Sequence, residues 1–538
     1  MLSLSFYGGV GEIGGNKVLL EDGDTRFFFD FGISYAERDK YFEEYLKPRS
    51  GAGLLDLLTL GLLPPLQGIY RDDLTSKELW PRFKQDASYR KLNVEGVLLS
   101  HAHLDHSGYI SFLREDIPVY CTSMTAFITK AMQDSGQSDF EKEVCYLIPR
   151  EHTIPKCERV GALKSTDYRK VCAQQRPFHV FEMEGLTPDA LAFWKDTPGG
   201  RKLDDSPLHL AGKVGSVSVQ CFPVSHSIFG SAAFAVETSS GWVVYSGDFR
   251  YGKLTEASLE KIAKLQPAAL ICEGTNTDKR SSVTEGEVYE NARRVAQQAR
   301  GLIIADFGPR QVERLLTFLR IAKETNRRLV VLPRDAYLLQ VMAYLNSEIP
   351  DIIMDKALCV YEEAKADLQK WEQKVRNKYR GKLVSAEEIS KHQELYILCF
   401  SFFDMNELPS IMPNGGSLYI YSSSEVFDEE GASDMRRLRH WLGRFDITGV
   451  GLPVEVKPHK WEIAEKERGF HASGHASARE LLGFVKAVSP KVLIPIHTEA
   501  PDFFANNLTG TDIKVISLNK QEQDKKIRYP NVEIASVV

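Results

Sequence analysis

Short apolar runs that indicate buried strands recur along the whole chain. The first of them lie between residues 4 and 30, on either side of a glycine-rich turn over residues 7–16. Later runs end at polar residues: Val97-Leu98-Leu99 precedes a histidine-rich loop, and the run over residues 241–245 precedes a carboxylate. The pattern therefore predicts strands whose ends deliver polar side chains.

From residue 268 onward the pattern changes to short apolar runs that alternate with amphipathic helices. Thr284 and Glu287 have the spacing of a capping box, which predicts the start of a helix that extends to about Arg300. Further strands and helices are predicted at residues 268–272, 302–306, 311–325, 329–333, 396–400 and 417–421. Such alternation is typical of βαβ units, so it predicts a second α/β domain with a parallel sheet.

Three segments do not follow either pattern. Residues 33–92 mix charged helical stretches with a proline-containing link, and we interpret them as an insertion over the mouth of a site. Residues 135–215 are irregular, which predicts a lid or a substrate-facing excursion. The highly charged residues 360–392 predict a solvated helical face, with a nucleic-acid contact as the alternative.

The composition is that of a globular protein. With 538 residues, 43% of them hydrophobic, the chain is long enough for two or more domains. The net charge of −6 argues against coating of a nucleic acid, although it does not exclude a local basic groove. No apolar run of about 18 residues occurs and the N-terminus lacks a basic leader, so neither membrane insertion nor secretion is expected. The eight cysteines form no CxxC pair, which favours free thiols in a reducing cytoplasm.

The densest candidate chemistry is the segment SHAHLDHSG, from Ser100 to Gly108, with three imidazoles and a carboxylate within six residues. A lone histidine on an apolar face is usually a core residue, but packing does not explain three rings and an acid at a strand end. His101 and His103 are two residues apart, on one side of the chain, and Asp105 and His106 begin the next turn. This spacing predicts ligands for two metal ions.

Later segments add to this candidate site. His226 and Asp248 each follow an apolar run, and so does His497 near the end of the chain. Asp30 ends an aromatic strand, a costly place for an unpaired carboxylate, so we expect it to support a metal ligand from behind. The glycine-rich turn is not interpreted as a phosphate loop, because the apolar residues 17–20 after it indicate a strand and not a helix.

Together these segments resemble the metallo-β-lactamase fold in its β-CASP nuclease branch, and most closely ribonuclease J. The motifs occur in the family's order: GGVGEIGGN, HAHLDHSG, SHSIFGSAAFAVET, YSGDFR, CEGTN, IYSSS, HASGHAS and IPIHTE. The resemblance implies an α/β fold, a metallo-β-lactamase αββα sandwich with an inserted α/β β-CASP domain. The expected boundaries are residues 1–265 for the first part of the metallo-β-lactamase domain, 266–455 for the β-CASP domain and 456–538 for the return segment.

The resemblance implies two ligand sets that meet at one bridging carboxylate, Asp248. The first set is His101, His103 and His226, and the second set is Asp105, His106 and His497. Imidazole and carboxylate ligands without a thiolate suit zinc, with manganese as the alternative. Two divalent ions held side by side would activate a water for in-line attack on a phosphodiester, so Asp105 and Asp248 count among the catalytic residues.

A proton-transferring pair, Glu273 and His475, is implied in the same way. Glu273 would orient His475, which would contact the scissile phosphate and protonate the leaving oxygen. The alternative for His475 is a polar residue that caps the following helix. His471 has no counterpart in the family's pattern and is expected to be structural. Phosphate or substrate contacts are implied for four serines, with a plain serine loop as the alternative for the first three: Ser422, Ser423, Ser424 and Ser473.

The resemblance implies a metal-dependent nuclease that hydrolyses phosphodiester bonds, with endonucleolytic activity, 5′-exonucleolytic activity or both. His497 favours single-stranded RNA as the substrate and partner, because the DNA-processing branch typically lacks this histidine. A DNA-directed nuclease in repair or defence is the alternative, followed by a non-catalytic scaffold. The protein is expected in the cytoplasm and not on membranes, and a homodimer is left open. One departure is Ser401-Phe402-Phe403-Asp404, where the family has a glycine-containing loop.

Overall fold

The structure is a computed structural model, and two compact units make up the part of the chain that it describes. The described residues are 2–136, 139–152, 163–166, 171–203, 208–279, 282–308, 310–423, 429–457, 460–519, 521–523, 526–528 and 531–534. Unit 1 comprises Met1–Arg280 and His475–Val538, and unit 2 comprises Ser281–Gly474. Both divisions fall later in the chain than the expected boundaries at residues 265 and 455, and the assignment of the units to named domains stays a prediction.

Two β-sheets form the framework of unit 1. The first has eight strands, in the spatial order Leu208–Leu210, Phe178–Val180, Val119–Cys121, Val97–Leu98, Thr25–Phe29, Lys17–Asp22, Leu2–Gly8 and Asn531–Glu533. The second has seven strands, in the order Lys213–Val214, Val217–Pro223, Ala232–Thr238, Gly241–Tyr245, Ala269–Glu273, Val492–Ile496 and Lys514–Val515. The strand at Lys17–Asp22 follows the glycine-rich turn, as the sequence predicted.

The two sheets share one apolar core. Phe29 and Leu98 of the first sheet belong to the same buried cluster as Phe234 and Ile271 of the second. All four side chains are fully buried, and removing such apolar surface from water is the main favourable contribution to folding. The sheets therefore pack face to face as a sandwich.

Helices pack on the outer side of the second sheet. The helices Lys253–Lys264 and Ala478–Val488 place Ile262 and Leu481 in a second buried cluster, together with Leu270 of the strand Ala269–Glu273. This cluster uses the side chains of the sheet that point away from the sandwich core, because successive residues of a strand face opposite sides.

The first sheet is covered in the same way. The helices Ser123–Ser135 and Pro188–Lys195 bring the rings of Phe127 and Trp194 together, and Trp194 packs at 5.1 Å against Phe178 of the sheet. The predicted αββα sandwich is therefore confirmed. The other α-helices described in unit 1 are short: Tyr35–Arg38, Leu55–Thr59, Leu104–Ser107 and Phe503–Asn507.

Residues 135–215, predicted to be an irregular excursion, contribute two strands to the first sheet. Phe178–Val180 pairs in parallel with Val119–Cys121, and Leu208–Leu210 pairs in parallel on its other side. Both strands have three residues, which is too short to show an alternation of polar and apolar positions. The prediction of an irregular segment was therefore wrong at these two strands, because they are too short to show a pattern.

A buried ion pair connects this segment to the predicted insertion over residues 33–92. Arg71 Nη1 lies 2.8 Å from Glu143 Oε2, and both side chains are almost fully buried. Arg71 Nη2 also lies 2.8 Å from Asp73 Oδ2. The two insertions are thus tied together within unit 1.

Unit 2 is an α/β unit whose seven-stranded sheet is parallel throughout the described residues. Its strands lie in the order Leu383–Ser385, Leu358–Glu362, Arg328–Val331, Tyr396–Leu398, Ile303–Asp306, Leu418–Tyr421 and Thr448–Val450. Its α-helices are Glu285–Ala296, Val312–Glu324, Pro333–Ala343, Lys370–Lys378, Ala386–Lys391, Leu408–Ile411 and Glu429–Arg444. A short hairpin, Val454–Lys457 with Lys460–Glu462, follows the sheet.

The elements of unit 2 follow the predicted pattern closely. The helix Glu285–Ala296 begins at the predicted capping box, in which the Thr284 hydroxyl and the Glu287 carboxylate each bond the other residue's backbone N–H. The charged stretch over residues 360–392 contains the helix Lys370–Lys378, which buries Trp371 and exposes most of its charged side chains. None of the helices that the structure describes is long and apolar enough to cross a membrane.

Candidate metal centre

The candidate site lies at one edge of the second sheet, where several strands end. The strands Gly241–Tyr245, Ala269–Glu273 and Val492–Ile496 are parallel neighbours, so their carboxyl ends lie side by side. Asp248 follows the first of them, Glu273 ends the second, and His497 follows the third. The same topology in the first sheet, where Thr25–Phe29 runs parallel to Val97–Leu98, brings the loop after Phe29 beside the histidine motif.

Three histidines converge in the first predicted ligand set. His101 Nε2 lies 3.0 Å from His103 Nδ1, and His226 Nε2 lies 3.3 Å from the same nitrogen. One ligand atom of each residue lies within 4.8 Å of the others. Three imidazole nitrogens that face one another need protons or a cation between their lone pairs, so the arrangement can hold a metal ion.

The second predicted set forms an adjacent cluster that contains the shared carboxylate. Asp105, His106, Asp248 and His497 each offer a ligand atom within 4.8 Å of the others. His497 Nε2 lies 3.4 Å from Asp105 Oδ2 and 3.5 Å from Asp248 Oδ2. His101 Nε2, from the first set, lies 3.8 Å from the same Asp248 oxygen. Asp248 therefore stands between the two clusters, as a bridging ligand would.

Buried atoms without hydrogen bonds test whether this donor set fits a cation. Asp248 is 1% exposed, yet neither of its carboxylate oxygens has a hydrogen-bond partner. His106 Nε2 is also buried without one, although it lies 3.0 Å from Asp248 Oδ2. Burial raises the pKa of Asp248, but His106 and His497 hold it well below its usual range, so the carboxylate is ionised. A buried anion beside imidazole nitrogens fits divalent metal ions.

Asp30 lies behind the second cluster, where the sequence predicted a supporting residue. Its carboxylate accepts hydrogen bonds from His106 Nδ1 at 2.6 Å, from the Ser100 backbone N–H at 2.7 Å and from the Tyr245 hydroxyl at 2.5 Å. A bond from Nδ1–H fixes the His106 tautomer and leaves its Nε2 lone pair for a metal. Tyr245 in turn accepts a hydrogen bond from Asn16, so the carboxylate is fully surrounded by partners.

Glu273 and His475 form a hydrogen-bonded pair beside the second cluster. His475 Nδ1 lies 2.9 Å from Glu273 Oε2, while Glu273 Oε1 accepts the backbone N–H of Phe249 at 2.7 Å. Burial lowers the pKa of His475, but the carboxylates of Glu273 and Asp248 raise it to about 9. These carboxylates therefore favour the protonated ring, which is the form that can act as an acid.

The alternative explanation for His475, a helix cap, does not fit the structure. The helix Ala478–Val488 is capped by Ser477, whose hydroxyl and backbone N–H both bond the Glu480 carboxylate. The backbone of His475 is held by Asn276, whose Nδ2 donates to the His475 carbonyl at 3.2 Å. The His475 side chain therefore does not cap this helix and bonds Glu273 instead.

The glycine-rich turn packs against the histidine motif. A Cβ at Gly14, whose φ is 81°, would lie 2.9 Å from Asp105 Cβ. A Cβ at Gly32 would lie 1.7 Å from the Asp105 carbonyl oxygen. Only glycine allows so close an approach of backbone to a ligand residue, which explains the glycines without a bound phosphate.

Within unit 2, the predicted phosphate contacts find little support in the geometry. Ser422 is 1% exposed, donates its hydroxyl proton to the Phe470 carbonyl at 2.6 Å and accepts from Arg314. This geometry argues against a phosphate contact by Ser422. Ser473 is half-buried, and Ser424 lies outside the described residues.

Ser423 lines a cavity of about 510 Å³ at the carboxyl edge of the unit 2 sheet. The carboxyl groups of Asp306, Asp335 and Asp404 line the same cavity, together with the basic side chains of Arg334 and Lys365, so the lining carries groups of both signs. Asp404 belongs to the loop that departs from the family's glycine-containing pattern. His471 has both ring nitrogens within 2.9 Å of backbone carbonyls of unit 2, in keeping with the expected structural role.

Two contributors to the site were not anticipated from the sequence: Tyr245, which bonds Asp30, and Thr275, which lies between Glu273, His475 and His497. Tyr245 looked like an ordinary residue of an apolar strand. Thr275 is part of the CEGTN motif, and that polar stretch directly after a buried strand is the signal that could have singled it out.

Comparisons with known proteins show what the chain is similar to. Residues 464–517 match the family model RMMBL, described as a Zn-dependent metallo-hydrolase RNA specificity domain. The chain is 23% identical over 513 residues to ribonuclease J of Mycolicibacterium smegmatis, which covers 92% of this chain and 68% of that protein. It is 19% identical over 506 residues to ribonuclease J of Helicobacter pylori strain B128, which covers 91% of this chain and 55% of that protein.

A solved structure, that of a protein of unknown function from Enterococcus faecalis V583, matches with a TM-score of 0.61 and 20% identity and covers 99% of each chain. This match supports the fold class alone. The resemblance to β-CASP nucleases of the ribonuclease J kind, inferred from the motifs, is confirmed by the sequence relatives. The chain spans 68% and 55% of the lengths of the two ribonuclease J proteins.

Proposed function

From this likeness to ribonuclease J, we propose that the chain is a metal-dependent ribonuclease that hydrolyses phosphodiester bonds in single-stranded RNA. The observation that carries the proposal is the fully buried Asp248 carboxylate, which lacks hydrogen bonds and lies between two clusters of imidazoles. A carboxylate in that position needs positive charge beside it. The family model that matches residues 464–517 is described as a Zn-dependent metallo-hydrolase domain, which supports metal ions as the source of this charge.

The metal ions would be held by the two predicted ligand sets, with Asp248 bridging. When bound, two divalent ions supply Lewis-acid charge and activate the attacking water, for which zinc is the first choice and manganese the second. Asp30 keeps His106 in the tautomer whose Nε2 lone pair is free. Binding of the phosphodiester itself would rely on the same positive charge, since the chain has a net charge of −6.

His475 is the proposed general acid. Its Nδ1 is engaged by Glu273, and the opposite ring nitrogen, Nε2, is the proposed donor to an oxygen of the substrate. The Glu273 carboxylate favours the protonated ring and raises its pKa, so His475 could give its proton to the departing oxygen. The hydrogen bond to Glu273 keeps the His475 ring in the same orientation before and after the ring gives up its proton.

RNA is favoured over DNA as the substrate. The family model that matches residues 464–517 is described as an RNA specificity domain, and the curated relatives are named ribonuclease J. His497 supports the same choice, because the resemblance implies that the DNA-processing branch typically lacks a histidine at this position. A DNA-directed nuclease is retained as the alternative that the experiment below must exclude.

Matched RNA and DNA oligonucleotides, digested side by side in zinc or manganese, test the proposal. We expect cleavage of RNA by the wild type, no detectable cleavage by Asp248→Asn, and wild-type rates for Asp24→Asn, whose side chain lies in an exposed turn. If DNA were cleaved faster than RNA, DNA would replace RNA as the proposed substrate. Full activity of Asp248→Asn would overturn the metal-dependent mechanism.

The mode of cleavage is tested with RNA labelled at either end. Substrates with a 5′-hydroxyl, a 5′-monophosphate or a 5′-triphosphate separate endonucleolytic cuts, which give internal fragments, from 5′-exonucleolytic digestion, which releases mononucleotides. We propose that one or both modes occur.

A non-catalytic scaffold is the remaining alternative, and metal analysis decides it independently of any substrate. We expect about two divalent ions per chain in protein purified without chelators. Fewer than about one ion per chain, together with no cleavage of either nucleic acid, would favour the scaffold.

A further inference from the structure

Thr275 lies where the metal centre and the Glu273–His475 pair meet. Its hydroxyl oxygen is 2.6 Å from Glu273 Oε2, 2.9 Å from His497 Nδ1 and 3.0 Å from His475 Nδ1. One short side chain is therefore within hydrogen-bond distance of a predicted metal ligand, of the predicted general acid and of the carboxylate that orients it. Glu273 and His497 are each 1% exposed, so their contacts with Thr275 lie in the protein interior.

The Thr275 hydroxyl cannot donate a proton to all three of these neighbours. A threonine hydroxyl has one proton to donate and two lone pairs that accept. An ionised carboxylate only accepts, so the 2.6 Å contact assigns the hydroxyl proton to Glu273. The Thr275 oxygen can then only accept from the imidazoles, so the nitrogen that faces it, His497 Nδ1, must carry a hydrogen.

This hydrogen decides which nitrogen of His497 is available. With Nδ1 protonated, the lone pair of the neutral ring lies on Nε2. Nε2 is the atom that faces the second cluster, at 3.4 Å from Asp105 and 3.5 Å from Asp248. The hydroxyl of Thr275 thus selects for His497 the tautomer that a metal ligand at this position needs.

The backbone around Thr275 keeps the hydroxyl in place. Asn276 forms a bridge with Ser477 and donates to the carbonyl of His475, which joins the loop after Glu273 to the loop before the helix Ala478–Val488. A Cβ at Gly274 would lie 3.0 Å from Thr498 Cβ, so this residue packs directly against the loop that carries His497. Thr275 therefore lies between the loop that carries His497 and the loop before the helix Ala478–Val488, and the backbone on either side of Thr275 contacts both loops.

We propose that Thr275 is a positioning residue that couples the second metal cluster to the proton-transferring pair. It holds His497 in the Nδ1-protonated tautomer and, through the same oxygen, orients the Glu273 carboxylate toward His475. The proposal rests on the proposed function for its kinetic consequence. Its consequence for metal binding is independent of any substrate.

Two substitutions separate the hydroxyl from the methyl group. Thr275→Val keeps the shape and removes the hydroxyl, whereas Thr275→Ser keeps the hydroxyl and removes the methyl. Loss of a hydrogen bond to a metal-ligating histidine typically costs about 10- to 100-fold in metal affinity or activity. We expect a loss of this size in Thr275→Val for one of two zinc ions, and an affinity within a few-fold of the wild type in Thr275→Ser.

Zinc affinity is measured by competition with a chromophoric chelator, and thermal unfolding of each zinc-free variant checks the fold. Should Thr275→Val fail to fold, Thr275→Ala replaces it as the hydroxyl-free variant. The proposal is overturned if the hydroxyl-free variant binds both zinc ions as the wild type does. It is overturned equally if Thr275→Ser loses as much affinity as Thr275→Val, because the methyl group and not the hydroxyl would then matter.

Kinetics on RNA distinguish this proposal from the proposed function. We expect Thr275→Val to lower kcat by about 10- to 100-fold with little change in KM, and Thr275→Ser to restore kcat. Absence of RNA cleavage by the wild type would reject the proposed function, while the difference in zinc affinity between the two variants would still support the role of Thr275. A defect in KM alone would overturn the coupling to the proton-transferring pair.

Discussion

Asp30 ends the strand Thr25–Phe29 with a left-handed backbone, at a φ of 53°. A non-glycine residue in this conformation is strained and persists where its surroundings hold it. Four donor atoms do so: the backbone N–H and hydroxyl of Ser100, His106 Nδ1 and the Tyr245 hydroxyl. His497 has the same kind of backbone, with a φ of 52°. Two residues predicted to build the metal centre therefore store strain at strand ends.

The substitution Asp30→Asn tests the support of the metal ligand. Because the amide keeps the shape but loses the charge that holds Nδ1–H of His106, we expect zinc affinity and RNA cleavage to fall by about 10- to 100-fold. Zinc competition and initial rates measure the two effects. Asp24→Asn, in an exposed turn, is the matched control, and an equal effect of both substitutions would contradict the role of Asp30.

At this scale the sequence anticipated the candidate ligands but not their partners. The spacing of His101, His103 and Asp105 in one short segment marks them directly. Tyr245 carries no such mark and Thr275 only the weaker one of a polar stretch after a strand, because each meets distant partners only after strands that are far apart in the chain are paired. Ser422 shows the reverse case, since its serine-rich setting suggested a ligand contact and its burial argues against one.

At the scale of the elements, the buried side chain of Arg176 holds several connecting segments of unit 1 in place. The guanidinium is fully buried and donates to five backbone carbonyls, those of Ile110, Leu113, Arg114, Ile117 and Val144. Four of these carbonyls lie within residues 110–117, just before the strand Val119–Cys121, and the fifth is that of Val144. The guanidinium thus adds to the backbone hydrogen bonds that the carbonyls of Ile110 and Arg114 already accept.

We expect Arg176→Met to lower the free energy of unfolding by about 3 kcal/mol or more, since several buried carbonyls would lose their donors at once. Urea denaturation followed by circular dichroism measures the change. Arg82→Met, at an exposed position, is the control and should change stability by less than about 0.5 kcal/mol. Similar losses for both variants would show that the buried carbonyls find other partners.

The strand Ile303–Asp306 of unit 2 ends in a buried carboxyl whose titration affects stability. Burial raises the pKa of Asp306 to about 7, although the Tyr419 hydroxyl lowers it. The folded protein therefore holds this proton more tightly than the unfolded chain, whose carboxyl has a pKa near 3.9. The cost of ionising the buried group is absent below about pH 4, grows as the pH rises and is complete above about pH 7.

Asp306→Asn removes this titration. We expect the variant to gain stability relative to the wild type between pH 5 and pH 8, by on the order of a few kcal/mol at most. Chemical denaturation at a series of pH values gives the difference. Asp367→Asn, at an exposed position of the same unit, should show no such trend. A stability difference for Asp306→Asn that does not change with pH would mean that Asp306 is ionised at little cost.

For the whole molecule, metal binding and folding are linked through unit 1, which contains all the predicted ligands. A ligand that binds the folded state alone adds about 2.7 kcal/mol of stability at a concentration of 100 times its Kd. We expect added zinc to raise the melting temperature of the chelated wild type and to leave that of Asp248→Asn nearly unchanged. Calorimetry measures both, and equal shifts in the two proteins would indicate that zinc binds elsewhere.

The sequence by itself determined the order of the elements, the parallel α/β character of unit 2 and the identity of the candidate ligands. These features depend on residues close together in the chain, such as the capping box at Thr284 and the apolar strands that end in His101 or Asp248. Local periodicity reports them because side-chain direction repeats along a helix or strand. The short strand Phe178–Val180 lay below the length at which this repeat is visible.

Only the tertiary structure decided how these residues meet. It set Asp248 between two histidine clusters without a hydrogen-bond partner, Thr275 between Glu273 and His497, and Ser422 in the interior of unit 2. Each of these relations joins positions up to hundreds of residues apart in the chain. They follow from strand pairing and from the closure of an apolar core, which depend on the whole chain and not on any local pattern.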